Sequence, residues 1–150
     1  MTIGTNDLIV KLGTTKVLEA NGASIVNNAM GQADDAAYDF AVDGSYAPNA
    51  EFVLAATFAV APTQNTPIDL YAQELDIDGV NDAQAPTVTY KQRYVGSFVV
   101  NNVTTQQFLK LRAYDIPHNA SYYLHNNATG QTLAAGWTLK VTPHTYGPAA

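Results

Sequence analysis

The chain has 150 residues, a net charge of −6 and no cysteine. This length fits one domain that buries roughly 70% of its unfolded surface without a covalent staple, and the missing thiols exclude a disulfide scaffold or a thiolate metal site. Only 13% of residues are charged and 47% are hydrophobic, against a usual charged share of ~25%, so much of the surface is neutral and can be covered by a neighbour at little desolvation cost. Residues 1–90 carry net −10 and residues 91–150 net +4. The basic residues stand singly within strand patterns, and the net acidity repels phosphate at long range, so nucleic acid is not an expected partner. The expectation for the split is that the two halves form neighbouring strands whose charges neutralise each other. "MTIGTNDLIVKLG" lacks the basic start and apolar run of a secretory signal, and no apolar stretch approaches the ~18 residues of a membrane span. Synthesis in a cytoplasm, with no membrane partner, is expected.

Residues 1–33 read as an N-terminal arm or an irregular first hairpin, in which "IVKLGTTKVLEA" (9–20) adds one or two strands. Asn21, Gly22, Asn27, Asn28 and Gly31 disfavour a helix across 17–33. Residues 34–150 read as a single β-sandwich. "AAYDFAV" (36–42) aligns Tyr38, Phe40 and Val42; "EFVLAATFAV" (51–60) aligns Phe52, Leu54, Ala56, Phe58 and Val60; "PIDLYAQEL" (67–75) aligns Ile68, Leu70 and Ala72. "RYVGSFVV" (93–100) is apolar on both faces and is expected to be a central, doubly covered strand. "QQFLKLRAYD" (106–115) places Leu109, Leu111 and Ala113 inward, "ASYYLHN" (120–126) follows, and "WTLKVT" (137–142) turns Trp137, Leu139 and Val141 inward. Turns rich in Gly, Pro, Asn and Asp separate these runs, because such residues supply positive φ, fixed φ and local side-chain hydrogen bonds. Regular short strands of this number predict an all-β fold, a jelly-roll-like antiparallel β-sandwich of about eight strands.

No catalytic set, cofactor site or metal site is expected. His118, His125 and His144 lie in or beside turns without metal-ligand spacing, and nothing places a base beside a nucleophile, so all three are expected to be solvated. Aromatic residues suit sugar stacking, but Trp137, Tyr38, Tyr90 and Tyr94 fall inside strand patterns and are assigned to the core. Tyr46, Tyr71, Tyr114, Tyr123 and Tyr146 are assigned to exposed or interface positions. Three glycosylation sequons, at Asn102, Asn119 and Asn127, accompany Asn- and Thr-rich turns.

The connection "ELDIDGVNDAQAPT" (74–87) gathers Glu74, Asp76, Asp78 and Asp82 without a basic residue. A calcium loop uses carboxylates in this way, but Gly79 follows the second Asp directly and no closing acid lies twelve positions on. An alternative is a solvated strand edge with Leu75 and Ile77 inward. The small, stiff second half, with Ala83, Ala85 and Pro86, suits packing against a neighbour. Long connections of this kind are usually functional or disordered. Asp76, Asp78, Asp82, Ala83 and Pro86 are therefore the candidate partner-contact residues.

Residues 69–117, "DLYAQELDIDGVNDAQAPTVTYKQRYVGSFVVNNVTTQQFLKLRAYDIP", and residues 130–148, "GQTLAAGWTLKVTPHTYGP", resemble small structural proteins encoded among the head genes of tailed bacteriophages. The likeness covers about residues 36–150, and the overall form resembles the jelly-roll decoration, or cement, proteins of phage capsids. The resemblance implies a virion protein on the outer surface of the capsid, bound to the major capsid protein and to itself as a homotrimer or a dimer. It also implies an N-terminal arm reaching a neighbour, and no chemistry. Other functions that a sandwich hosts are a tail, baseplate or head-fibre component and a carbohydrate-binding module.

Overall fold

A computed structural model describes residues 3–44 and 46–149. The fold is all-β, with nine strands among the described residues: β1 (Leu8–Leu12), β2 (Lys16–Gly22), β3 (Met30–Asp39), β4 (Asn49–Ala56), β5 (Pro67–Glu74), β6 (Tyr94–Val99), β7 (Gln107–Ala113), β8 (Asn119–Asn126) and β9 (Trp137–Pro148). The pairings are nested. β1 and β2 run antiparallel to β9, β3 to β8, β4 to β7 and β5 to β6. The chain is thus one long two-stranded ribbon, rolled until β9 also meets β4 and β8 also meets β5. Two antiparallel sheets result, ordered β1-β9-β4-β7, with β2 also on β9, and β3-β8-β5-β6. With β1 and β2 taken as one interrupted edge strand, this is the jelly roll expected from eight alternating segments.

Residues 1–33, expected to be an arm or irregular hairpin, are largely built into both sheets. β1 and β2 pair one after the other along the same side of β9 and not with each other, and β3 already begins at Met30. Leu18 and Ile25 enter the core. Only β1 keeps an arm-like character: β4 leaves β9 at His144, whereas β1 accompanies β9 out to Pro148.

Alternation builds the core. Phe52, Leu54 and Ala56 of β4, Ile68, Leu70 and Ala72 of β5, Tyr122 and Leu124 of β8, and Trp137, Leu139 and Val141 of β9 are all buried between the sheets. Each large apolar side chain among them contributes about 1.5–3 kcal/mol relative to exposure. Trp137 donates its indole N–H to the Ala23 carbonyl at 2.7 Å. It packs on the backbone of its register partner Gly22, where a Cβ would come within 2.0 Å of the indole ring.

Two strand expectations are corrected. β6 is an edge strand, not a central one: Phe98 enters the core while Tyr94 and Val99 are more than half exposed. β5 is buried on both faces, with its outward Asp69 and Tyr71 buried as well, and β4 buries its outward Glu51 and Ala55. Along 51–60, β4 ends at Ala56; Phe58 still enters the core through a bridge to Leu133, but Val60 turns out to solvent. The charge asymmetry is neutralised in part, where Glu51 and Glu74 of the first half meet cations of the second. Glu51 of β4 faces Lys110 at 2.9 Å and Arg112 at 2.5 Å on β7, and Arg93 lies 3.8 Å from Glu74. Hydrogen bonds from Arg112, then Lys110, hold the Glu51 carboxyl below its ordinary range.

Candidate functional site

The long connection between β5 and β6 has two parts with different physics. In the first, 76–82, the chain turns out of the sheet at Asp76 (φ 52°) and reverses at Gly79 (φ 89°). Both angles lie in the left-handed region, which Asp tolerates better than most residues and Gly adopts freely. The Asp78 and Asp82 carboxylates close turns of their own loop, and that of Asp76 ties the loop to β8. Asp78 accepts the N–H groups of Val80 at 3.0 Å and Asn81 at 2.7 Å, and the Asn81 amide at 2.8 Å. Asp82 accepts Asp76 N–H at 3.1 Å, and Asp76 accepts the Asn119 amide at 3.2 Å. The Asn81 amide, aided by backbone N–H groups, holds the Asp78 carboxyl below its usual range. The three acids are directed at donors within their own fold, not at a shared point where a cation would sit. The strand-edge reading of 74–78 also fails, because β5 ends at Glu74 and Ile77 is exposed. What the hairpin presents outward is Ile77 and Val80, 59% and 80% exposed, framed by the three acids. At its root a polar hollow of about 340 Å³ is lined by Glu74, Leu75, Asp76, Ile77, His118 and Asn119.

The second part, 83–93, folds back over the outer face of the β3-β8-β5-β6 sheet. Ala83 donates its N–H to Glu74 O at 2.8 Å, and its carbonyl accepts the Gln73 amide at 2.9 Å. Pro86 is buried, and with Thr87 and Val88 it overhangs a hollow of about 400 Å³ whose floor includes Met30, Gln32 and Tyr123. Pro86 is thus turned toward the chain's own sheet and Ala83 is half-buried, whereas 76–82 projects from it.

Beneath this flap lies a polar network. Asp69 accepts Ser97 Oγ at 2.5 Å and the Asn127 amide at 2.9 Å. Tyr94 OH lies 2.7 Å from Ser97 Oγ and is the donor there, because the serine proton is directed at Asp69. His125 is buried, and its Nδ1 has no hydrogen-bond partner among the described residues. Ser, His and Asp therefore meet, but with the carboxylate in the middle. In a Ser–His–Asp triad the imidazole stands between serine and carboxylate; here Ser97 donates directly to Asp69 and does not reach His125.

Several side chains depart from their expected positions. His125 and His144 are fully buried, not solvated; burial above all, with nearby Lys91 and Arg112 respectively, pushes both imidazoles down from their ordinary 6.5. His118 is exposed and packs edge-on against Phe40. Tyr71 is buried under the flap, whereas Tyr90 and Tyr94 are exposed; Tyr46, Tyr114 and Tyr146 are exposed as expected. A group that the sequence did not reveal, Glu19 with Asp34 and Asp35, places three carboxylates within 4.8 Å of one another. These acids close a seam between the sheets: Asp35 accepts Ala20 N–H at 2.7 Å, and Glu19 accepts Asp34 N–H at 3.1 Å. No run of acids marks this site in the sequence, since its members come from strands that meet only when the ribbon rolls.

The other sheet carries the opposite charge. Register places Phe108, Lys110 and Arg112 of β7 on one outer face with Glu51 and Val53 of β4 and Lys140 of β9. Phe108 is 72% exposed. Two surfaces of opposite sign, each with prominent apolar side chains, are what the fold displays. No family model, curated protein or solved structure matches this chain.

Proposed function

We propose that the protein is a capsid decoration, or cement, protein of a tailed bacteriophage, attached to the outer surface of the head where major capsid protein subunits meet. The carrying observation is the 76–82 hairpin. It holds its own shape through the Asp78 and Asp82 carboxylates, is anchored to β8 by that of Asp76, and presents Ile77 and Val80 to solvent. A preorganised projection loses little entropy on contact, and its acids complement a basic patch on a lattice. Individually weak contacts suffice when a self-associated protein engages several sites at once, since linkage raises the effective concentration of each further contact. The jelly roll also occurs among viral capsid domains. A catalytic role is not part of this reading.

The test is co-sedimentation with capsids from which the protein has been omitted. Wild type should attach, with attachment weakening as salt screens the acids. The triple variant Asp76→Asn, Asp78→Asn, Asp82→Asn should attach several-fold more weakly, with a flatter salt dependence and an unchanged circular dichroism spectrum. Labelled copies found at the tail or baseplate would replace this reading with that of another virion component. A second reading, a carbohydrate-binding module, draws on the hollow under Pro86 and Val88, where Tyr123 offers an aromatic wall. Specific hits on a glycan array would favour it.

A further inference from the structure

We propose that two copies of the chain join through their β1 edges, antiparallel about a two-fold axis at Val10, to make one continuous sheet. This association does not depend on attachment to a capsid. It follows from the hydrogen-bond phase of β1. Ala149 N–H donates to Asp7 O at 2.9 Å and Gly13 N–H to Pro143 O at 2.8 Å. In an antiparallel ladder, bonded and non-bonded pairs alternate, so Ile9 and Lys11 bond to β9, and Leu8, Val10 and Leu12 direct their N–H and C=O groups away from it. These are also the residues whose side chains share one face, at 72%, 43% and 61% exposure, beside half-exposed Tyr146.

The other sheet edges are managed. β2 lies against β3, with Asp35 and Glu19 accepting backbone N–H groups across the seam. β6 lies against β7. On the far side of the projecting ribbon, β9 beyond His144 is blunted by Pro148, which has no N–H to offer. β1 has no proline and no bulge, and its one charge, Lys11, points to the opposite face. A two-stranded ribbon with one apolar face is marginal on its own in water.

The segment is also self-complementary. In Leu8-Ile9-Val10-Lys11-Leu12, an axis at Val10 sets Leu8 against Leu12 of the second copy and Val10 against its own equivalent. Ile9 then faces Lys11 of the second copy, so no like charges are brought directly opposite. The turn in which Gly4 N–H meets the Asp7 carboxylate at 2.7 Å redirects the chain before Leu8. Five residues a side is a small interface, so the dimer should be concentration-dependent.

Sedimentation velocity over a concentration series tests this, with wild type expected to show a monomer–dimer equilibrium. Val10→Pro removes the outward N–H at the centre and leaves the bonds to β9 in place. Val10→Lys sets two ammonium groups together on the axis. Each should weaken the dimer at least tenfold with an unchanged thermal melt; if the proline variant melts early, the lysine variant decides. In this cysteine-free chain, Val10→Cys should be captured as a dimer by a short bis-maleimide, and Val60→Cys should not. A wild type that stays monomeric throughout, or an oligomer that survives Val10→Lys, overturns the proposal.

Discussion

His125 Nδ1 stands 3.9 Å from the Asp69 carboxylate, beyond hydrogen-bond reach, although the two are buried register partners on β8 and β5. The carboxylate is already taken up by Ser97 and Asn127. The imidazole is left neutral under the flap, and the domain carries a second such group in His144.

Stability should therefore fall below neutral pH in two steps. The unfolded chain takes up protons on these histidines near their ordinary 6.5, whereas burial keeps the folded ones neutral to lower pH. Their stabilisation is present above pH 6.5 and is lost as pH falls through the depressed folded values, by up to about 1.4 kcal/mol per pH unit for each histidine. Glu51, also depressed, contributes above 4.5 and is lost only at lower pH. Urea unfolding at stepped pH should show a slope between 6.5 and 4.5 that is shallower in His125→Gln or His144→Gln. A flat profile there contradicts the neutral-histidine account.

Asp69→Ala should destabilise the domain by about 1–2 kcal/mol, because the half-buried Ser97 hydroxyl and Asn127 amide lose their shared acceptor. Asp69→Asn, which keeps an acceptor for Ser97 but turns a donor toward the Asn127 amide or the reverse, should cost about half as much. Urea midpoints for the two variants give the comparison; equal and small losses would mean the network is exchangeable with water.

Tyr38 and Tyr122 bury hydroxyl groups that find no partner among the described residues. Burial, reinforced by Asp43 and Asp39, pushes the Tyr38 phenol up to about 12, so it stays protonated. Removing an unsatisfied hydroxyl recovers its desolvation penalty. Tyr38→Phe and Tyr122→Phe should then lie within about 0.5 kcal/mol of wild type or be more stable. Tyr38→Ala should lose about 3–5 kcal/mol through the cavity. A marked loss in the Phe variants on thermal unfolding would mean that each hydroxyl has a bridging water.

Gly22→Ala should cost about 1–3 kcal/mol, since the new methyl meets the Trp137 ring and something must shift. With a single tryptophan in the chain, its fluorescence should shift toward that of exposed indole. At Gly79 the methyl would stand in open space, and only the positive φ penalises it, by about 1 kcal/mol. Gly79→Ala should leave the tryptophan spectrum unchanged.

The sequence by itself determined the class of fold and most of the core. Alternation in 51–56, 67–72 and 137–141 is a local property, and Phe52, Leu70 and Trp137 went inward where the period placed them. The paired nesting of strands, by contrast, is not written in any one segment. Pairing β4 with β7 set Glu51 between Lys110 and Arg112, and only rolling the ribbon brought Glu19 to Asp34 and Asp35 and left β6 at the edge of a four-stranded sheet. Burial of His125, Tyr71 and Asp69 was likewise decided in three dimensions. A strand's period tells which residues share a face, but not whether a flap from 83–93 comes back to cover it. For the same reason the acids of 74–87 were legible as a cluster and their role was not. Whether carboxylates converge on an ion or on their own backbone depends on where the N–H groups lie, and that is set by the turn at Asp76 and Gly79.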